Sequence, residues 1–194
     1  MRNSLTGIAL VGLLIAVPAL ASAQTPARGT AKESHNSKLA HADEKFMKDA
    51  AAGGMAEVQM GQLAEQHAAS DGVKQFGKRM AADHAKANDE LKQLASQKGV
   101  QLPSALDRGH QRLYDRLSKL NGADFDREYM KEMVKDHDKD VKAFQKQADS
   151  GKDADLKAWA SKTLPTLKEH QDQAKQVSAS VTGKSSPAAS PRQK

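Results

Sequence analysis

The sequence predicts an all-α protein, a bundle of four long helices with a fifth, shorter helix. Hydrophobic residues recur at spacings of three and four over long stretches, which is the pattern of helices that bury one face. Glycine and proline cluster at only a few places between these stretches, and no convincing alternating strand pattern is present in the sequence. Long periodic segments with few breaks are typical of a helical bundle.

The breaks divide the periodic region into separate helices. We expect long helices at about residues 43–69, 71–98, 124–147 and 153–180, and a short helix at about residues 103–119. Ser70 suits the start of the second long helix, and Gly99 suits its end. Tight turns join the first helix to the second and the third to the fourth. The connection between the second and third is long, so we predict two antiparallel hairpins linked by a crossover that carries the short helix.

Both ends of the chain differ from the periodic region. Arg2 is followed by a short apolar run and by the small residues 21–23, which is the pattern of a secretory signal peptide. The remaining ends are rich in alanine, serine and threonine. We therefore expect an exported protein, in the periplasm or associated with the outer membrane. The predicted segments are a signal peptide at 1–23, a flexible linker at 24–38, the bundle at 39–181 and a disordered tail at 182–194.

Composition excludes several classes of function. The chain has no cysteine, so disulfides, thiolate metal sites and thiol catalysis are ruled out. Its net charge is +6, but lysines and acids are interspersed and aromatic residues are few, so we expect no nucleic-acid partner. No long apolar run follows the signal segment, so we expect no membrane-spanning segment in the mature chain. Loose attraction to an anionic envelope surface is compatible with the charge, and protein partners are not indicated.

One sequence pattern recurs and points to a candidate site. An aromatic residue, a methionine and an Asp-His pair occur at the same spacing twice, ending at His84 and at His137, and a shorter Glu-His echo ends at His170. Each histidine lies in the middle of the apolar stripe of its helix. In the first helix this position belongs to Glu57, flanked by glycine and alanine. In each hairpin the two residues are equally distant from the turn, so all four should meet in one layer near the middle of the bundle.

Three imidazoles and a carboxylate in one layer can be interpreted in two ways. They are candidate ligands for one transition-metal ion, with copper, iron and zinc not distinguished. Alternatively, they form a metal-free polar network that compensates the buried charge of Glu57 and fixes the helix register. The acids that precede the histidines could orient imidazoles of neighbouring helices by hydrogen bonding. These acids are Asp83, Asp136 and Glu169.

Three methionines suggest a second layer beside the first. Met60 and Met80 lie about one turn from the Glu-His layer, on the side of the first hairpin's turn. Met133 would join them if the second and third long helices run in the same direction. Thioether sulfur near imidazole favours copper, particularly Cu(I). Ordinary core packing by methionine is the alternative.

Several motifs, in order, resemble a known bacterial family, domain-of-unknown-function family 4142. The motifs are Ala51-Ala-Gly-Gly-Met-Ala-Glu57-Val, Met80-x-x-Asp83-His84 with Asn88 and Leu91, Leu102-Pro103, Phe125-Asp126-x-x-Tyr129, His137, and Leu164-Pro165-x-Leu167-x-x-His170. The similarity covers roughly residues 40–180. It implies a ferritin-like four-helix bundle and an exported address, often labelled outer-membrane, but no settled activity.

Comparison with ferritin-like di-iron proteins argues against their chemistry. Those proteins use Glu-x-x-His pairs, whereas the positions three residues before the histidines are Ala81, Val134 and Leu167. An oxidoreductase using this site is therefore disfavoured. We expect a non-enzymatic exported bundle that binds a transition metal, in envelope stress or metal handling. The alternative is a structural or interaction module of the cell envelope with a metal-free core.

Overall fold

A computed structural model describes residues 39–183. The predicted signal peptide, the linker and most of the predicted tail lie outside the described residues. The described part consists of five helices with no strand, which confirms the prediction of an all-helical bundle. The helices are α1 (His41–His67), α2 (Asp71–Gln97), α3 (Arg108–Leu117), α4 (Gly122–Ser150) and α5 (Ala154–Val181). None of these helices is long and apolar enough to cross a membrane.

The long helices match their predicted positions, but the short helix begins later than predicted. The Asp107 side chain accepts hydrogen bonds from the backbone N–H groups of Gly109 and His110, at 2.6 and 3.0 Å. This cap starts α3 at Arg108, so Pro103 lies in the preceding irregular segment. Gly99 has a φ of +67° and ends α2 as its sequence position predicted.

Helix α1 packs mainly against α2, and α4 packs mainly against α5. Glycines allow the first pair to approach closely. A Cβ atom on Gly61 would lie 2.5 Å from the backbone oxygen of Gly77, and a Cβ on Gly77 would lie 2.5 Å from the Cβ of Ala64. Such distances are too short for any side chain, so glycine is required at both positions. The close approach brings the middle of α1 against α2.

The apolar core forms two clusters at different heights. The Tyr129 cluster draws on residues 56–64 of α1, Ala68 after it, residues 73–80 of α2, 113–117 of α3, 125–133 of α4 and Ala174 of α5. The Trp159 cluster draws on residues 47–51 of α1, 91–95 of α2, Phe144 of α4 and residues 156–167 of α5. In α2, α4 and α5 the stretch between the contributions to the two clusters carries a buried histidine, and in α1 the buried Glu57 directly follows Ala56, where the Tyr129 cluster begins.

Buried aspartates hold the two turns in place. Asp126 of α4 accepts hydrogen bonds from the backbone N–H groups of Ala69 and Ser70, between α1 and α2, at 3.1 and 2.9 Å. Asp43 of α1 accepts from the N–H groups of Lys152 and Asp153, between α4 and α5, at 3.0 and 2.7 Å. Each of these two turns is thus bound by a carboxylate from the other pair of helices.

Candidate metal centre

Four helices each contribute one buried polar side chain to the space between the two apolar clusters. These side chains are Glu57 of α1, His84 of α2, His137 of α4 and His170 of α5, which are between 0% and 7% exposed. Each of the three histidines offers a ring nitrogen, and these nitrogens all lie within 4.8 Å of one another. Residues far apart in sequence therefore present donor atoms to one small volume.

The Glu57 carboxylate faces two of the imidazoles. Its Oε2 atom lies 2.9 Å from His84 Nε2 and 3.6 Å from His137 Nε2. Neither of its oxygens makes a hydrogen bond of acceptable geometry, and the same is true of His84 Nε2, His137 Nε2 and His170 Nδ1. Leaving a buried polar atom unpaired costs about 1–3 kcal/mol, so five such atoms in contact with one another require an explanation.

Hydrogen bonds at the far side of two rings indicate their tautomers. His137 Nδ1 is 2.9 Å from the backbone oxygen of Met133, to which it donates. His170 Nε2 is 2.8 Å from Asp83 Oδ2 and donates to that carboxylate. Donation from these nitrogens leaves a lone pair on His137 Nε2 and on His170 Nδ1, the two atoms that face the centre. Metal-bound histidines have this arrangement.

Electrostatics within the centre favour a charged Glu57. Burial raises the pKa of the Glu57 carboxyl, but the neighbouring His137, His84 and His170 outweigh it and lower that pKa from 4.5 to about 2. Burial lowers the pKa of His84, but the Glu57 carboxylate outweighs burial and the pKa is raised. Burial lowers the pKa of His170 to about 4, despite its hydrogen bond to Asp83. The centre therefore combines a carboxylate with a neutral His170, as a metal site requires.

A second carboxyl group near the centre was not identified from the sequence. Asp140 lies on α4, three residues after His137, and is charge-coupled to Glu57, His137 and His84. Burial and the Glu57 charge raise the pKa of Asp140 to about 6. The sequence could have indicated Asp140 by its spacing, because residues three apart on a helix share a face and Asp140 is three residues after His137.

The three acids that precede the histidines have different environments. Asp83 accepts the hydrogen bond of His170 and also contacts Arg79 Nε at 3.2 Å. Glu169 instead pairs with Arg79 Nη2 at 2.6 Å, and Asp136 pairs with Lys139 at 3.1 Å. The expected orienting role therefore applies to Asp83, whereas Glu169 and Asp136 point toward basic side chains at the surface. A rotation of about 100° from the neighbouring histidine carries them out of the core.

The methionines form part of the Tyr129 cluster beside the polar layer. Met60, Met80 and Met133 are at most 1% exposed and belong to this one cluster. The structure thus places all three on the same side of the layer. Met133 also contributes its backbone oxygen as the acceptor for His137.

Comparison with known proteins shows the fold and the family. A crystal structure of a DUF305 fragment from Deinococcus radiodurans is similar, with a TM-score of 0.64 at 11% sequence identity. The similarity covers 73% of this chain and 98% of that one, and at this identity it shows the fold alone. No curated protein matches the chain. The family described as "Domain of unknown function (DUF4142)" matches residues 28–177, and the chain belongs to this family.

Proposed function

We propose that this protein binds one transition-metal ion between Glu57, His84, His137 and His170. The observation that carries the proposal is the convergence of five buried atoms without hydrogen-bond partners, two carboxylate oxygens and three imidazole nitrogens. A bound cation would interact with lone pairs that are otherwise unsatisfied in the core. It would also compensate the negative charge of Glu57.

The donor set limits which metals are suitable. Imidazole nitrogen suits zinc, copper and iron, and a carboxylate is compatible with all three. Magnesium and calcium prefer sites made of oxygen donors alone, so this centre disfavours them. The sulfur atoms of Met60, Met80 and Met133 on one side of the layer would add a preference for Cu(I) over Zn²⁺ if they reach the ion.

We further infer a ferritin-like arrangement of two antiparallel hairpins. The first halves of α2 and α4 contribute to the Tyr129 cluster, whereas α1 and α5 contribute their second halves. This distribution supports parallel α2 and α4, with the segment that carries α3 crossing from one end of the bundle to the other.

We place the protein in the cell envelope, in metal handling or envelope stress. The support is the signal-peptide pattern at residues 1–23, which is read from the sequence. The absence of Glu-x-x-His pairs at the three histidines favours binding over di-iron oxidation.

A metal-free polar network is the second candidate. The observation that favours it is the distance of 2.9 Å between Glu57 Oε2 and His84 Nε2, with the pKa of His84 raised by the carboxylate although burial alone would lower it. A buried carboxylate–imidazolium pair of this kind could fix the helix register without any ion.

Metal content separates the two candidates. Protein purified without a polyhistidine tag is analysed by mass spectrometry beside the triple variant His84→Ala/His137→Ala/His170→Ala, Glu57→Gln, and the control His110→Ala. His110 lies on α3 and pairs with Asp107, away from the centre. We expect near-stoichiometric copper, iron or zinc in the parent and the control, and little in the other two.

Thermal unfolding provides the second measurement. An ion at 100 times its dissociation constant stabilises the folded state by about 2.7 kcal/mol, and chelator should remove this effect. A parent without metal, and without a thermal shift on adding copper, iron or zinc ions, would refute metal binding and leave the network as architecture.

A further inference from the structure

Two cavities with shared wall residues lie along the seam between α2 and α5, one beside the centre and one nearer the surface. The inner cavity has a volume of about 20 Å³, and its walls include His84 and His170. The outer cavity has a volume of about 120 Å³ and is lined by surface residues, including Lys86, Glu90 and Lys162. Both cavities share the same four wall residues, Asp83, Ala87, Thr163 and Thr166.

The seam favours access of an ion to the centre, because the two helices that border it belong to different packed pairs. Helices α1 and α2 pack extensively against each other, as do α4 and α5, whereas α2 touches α5 much less. Larger clefts occur between α3 and α4 and beside α2, but their walls include none of the four candidate ligands. At this seam the two helices are in sparse contact, and the cavity wall includes two of the candidate ligands.

The small volume of the inner cavity limits the size of an ion or molecule that can occupy it. A volume of about 10–15 Å³ is needed to hold one water molecule, so the inner cavity accommodates about one. A hydrated metal ion is much larger than this. An ion would have to lose most of its water at the outer cavity and exchange it for protein ligands.

Asp83 stands where this exchange would occur. Its side chain is 36% exposed, and it lines both cavities while Oδ2 accepts the hydrogen bond of His170. One carboxylate therefore contacts both the solvent-facing cavity and a candidate ligand. Farther out, Lys162 Nζ lies 2.9 Å from Glu90 Oε1 and joins α5 to α2 across the mouth of the seam.

We propose that metal ions reach the centre through this seam, with Asp83 as the carboxylate next to the candidate ligands and Ala87 in the wall that the two cavities share. The inference rests on the proposed metal site and adds its route of loading. A side chain larger than alanine at position 87 would obstruct the path without removing a ligand. It would therefore slow binding and release together and leave the affinity unchanged.

The chain carries its own reporter for this experiment. Trp159 is its only tryptophan, and it lines the inner cavity together with His84 and His170. Bound Cu²⁺ quenches nearby tryptophan fluorescence. Stopped-flow mixing of metal-free protein with Cu²⁺ measures association, and mixing the loaded protein with excess chelator measures release.

Three variants test the path. Ala87→Leu narrows it, Ala87→Gly widens it, and Ala85→Leu makes the same change at an exposed position of α2 that lines neither cavity. We expect Ala87→Leu to slow association and release by about tenfold each, equivalent to ~1.4 kcal/mol of barrier. Ala87→Gly should accelerate both, and Ala85→Leu should match the parent.

The outcomes distinguish the route from the site. Quenching that requires the three histidines but proceeds at the parent's rate in all three variants would refute the route and leave the metal site standing. No histidine-dependent quenching in any protein would refute both. If circular dichroism shows that Ala87→Leu is misfolded, Ala87→Gly provides the test. Faster association and release of copper in Ala87→Gly would support the route, and unchanged rates would refute it.

Discussion

Three buried carboxylates in this protein have the same exposure and opposite environments. Asp43, Asp126 and Glu57 are 2%, 3% and 3% exposed. The two aspartates accept hydrogen bonds from backbone N–H groups at the turns that follow α1 and α4, and Asp43 also accepts one from Gln147 at 3.0 Å. Both oxygens of Glu57 lack such partners, and Oε2 lies 2.9 Å from His84 Nε2. The three carboxylates are therefore equally buried, and the two aspartates differ from Glu57 in their hydrogen bonds to the backbone.

The difference indicates what each acid contributes. A carboxylate that satisfies two orphaned N–H groups stabilises the chain fold, because its removal leaves those donors unpaired in the protein. A carboxylate held against imidazoles without hydrogen bonds is stabilised by their charge and is available to a cation. Asp43 and Asp126 thus belong to the architecture, and Glu57 belongs to the proposed site.

Paired substitutions should show the largest effect. Asp126→Ala should lower the free energy of unfolding by about 3 kcal/mol, with or without metal, because the N–H groups of Ala69 and Ser70 lose charge-assisted hydrogen bonds. Glu57→Gln should also destabilise the metal-free protein, because the pairing of its charge with the imidazoles is lost, and it should abolish the stabilisation that metal confers on the parent. Urea unfolding in chelator and in excess metal measures both effects.

Asp126→Asn is the matched control for this comparison. Its amide has a single acceptor oxygen, so it should retain part of the stability that Asp126→Ala loses. A Glu57→Gln variant that keeps the parent's stabilisation by metal would contradict the distinction and assign Glu57 to the architecture.

The acid sensitivity of the metal-free protein should come from the centre. The folded pKa of His170 is about 4, below its ordinary 6.5, so stability falls as the pH decreases from about 6.5 to 4. The folded pKa of Glu57 is about 2, below 4.5, so its contribution is lost as the pH falls from about 4.5 to 2. The folded pKa of His84 is raised above its ordinary 6.5. Its contribution is therefore fully present below pH 6.5 and is lost as the pH rises through the raised pKa.

Urea unfolding in chelator across this pH range measures these contributions. We expect the parent to lose on the order of 2 kcal/mol between pH 6.5 and 4. His170→Gln cannot titrate and should flatten this part of the profile, whereas the exposed-site control His110→Ala should retain it. An unchanged profile in His170→Gln would show that the acid sensitivity arises elsewhere.

Helix periodicity made much of this arrangement predictable. A residue in the middle of an apolar stripe faces the core, and partners equally far from a tight turn lie at the same height, so Glu57 and the three histidines could be placed together from sequence. Gly99 likewise ends α2 where the sequence indicated. These features depend on local spacing and on short connections, which the sequence records directly.

The remaining features depend on partners distant in sequence. Asp43 and Asp126 look like ordinary solvated acids until the turn of the other helix pair brings backbone N–H groups to them. Asp140 acquires its environment from α1 and α2. The start of α3 was predicted too early because Pro103 is a local helix signal, whereas the cap at Asp107 determines the boundary.

The repeated Asp-His pair provides the smallest and most specific test. Asp83 and Asp136 occupy the same position in the two copies of the motif, but only Asp83 holds an imidazole of another helix, and Asp136 pairs with Lys139. Loss of a carboxylate that orients a metal-bound histidine costs about 10–100-fold in affinity. We expect Asp83→Asn to weaken copper or zinc binding by about tenfold, since the asparagine oxygen still accepts from His170.

Asp136→Asn should bind metal as the parent does, because its carboxylate contacts a lysine at the surface. Calorimetric titration of the two variants with the same ion compares them directly. Equal loss in both would mean that net charge near the centre, and not the hydrogen bond to His170, controls affinity. A loss confined to Asp83→Asn would show that two identical sequence motifs differ in function because α5 lies beside one copy and the cleft next to α3 beside the other.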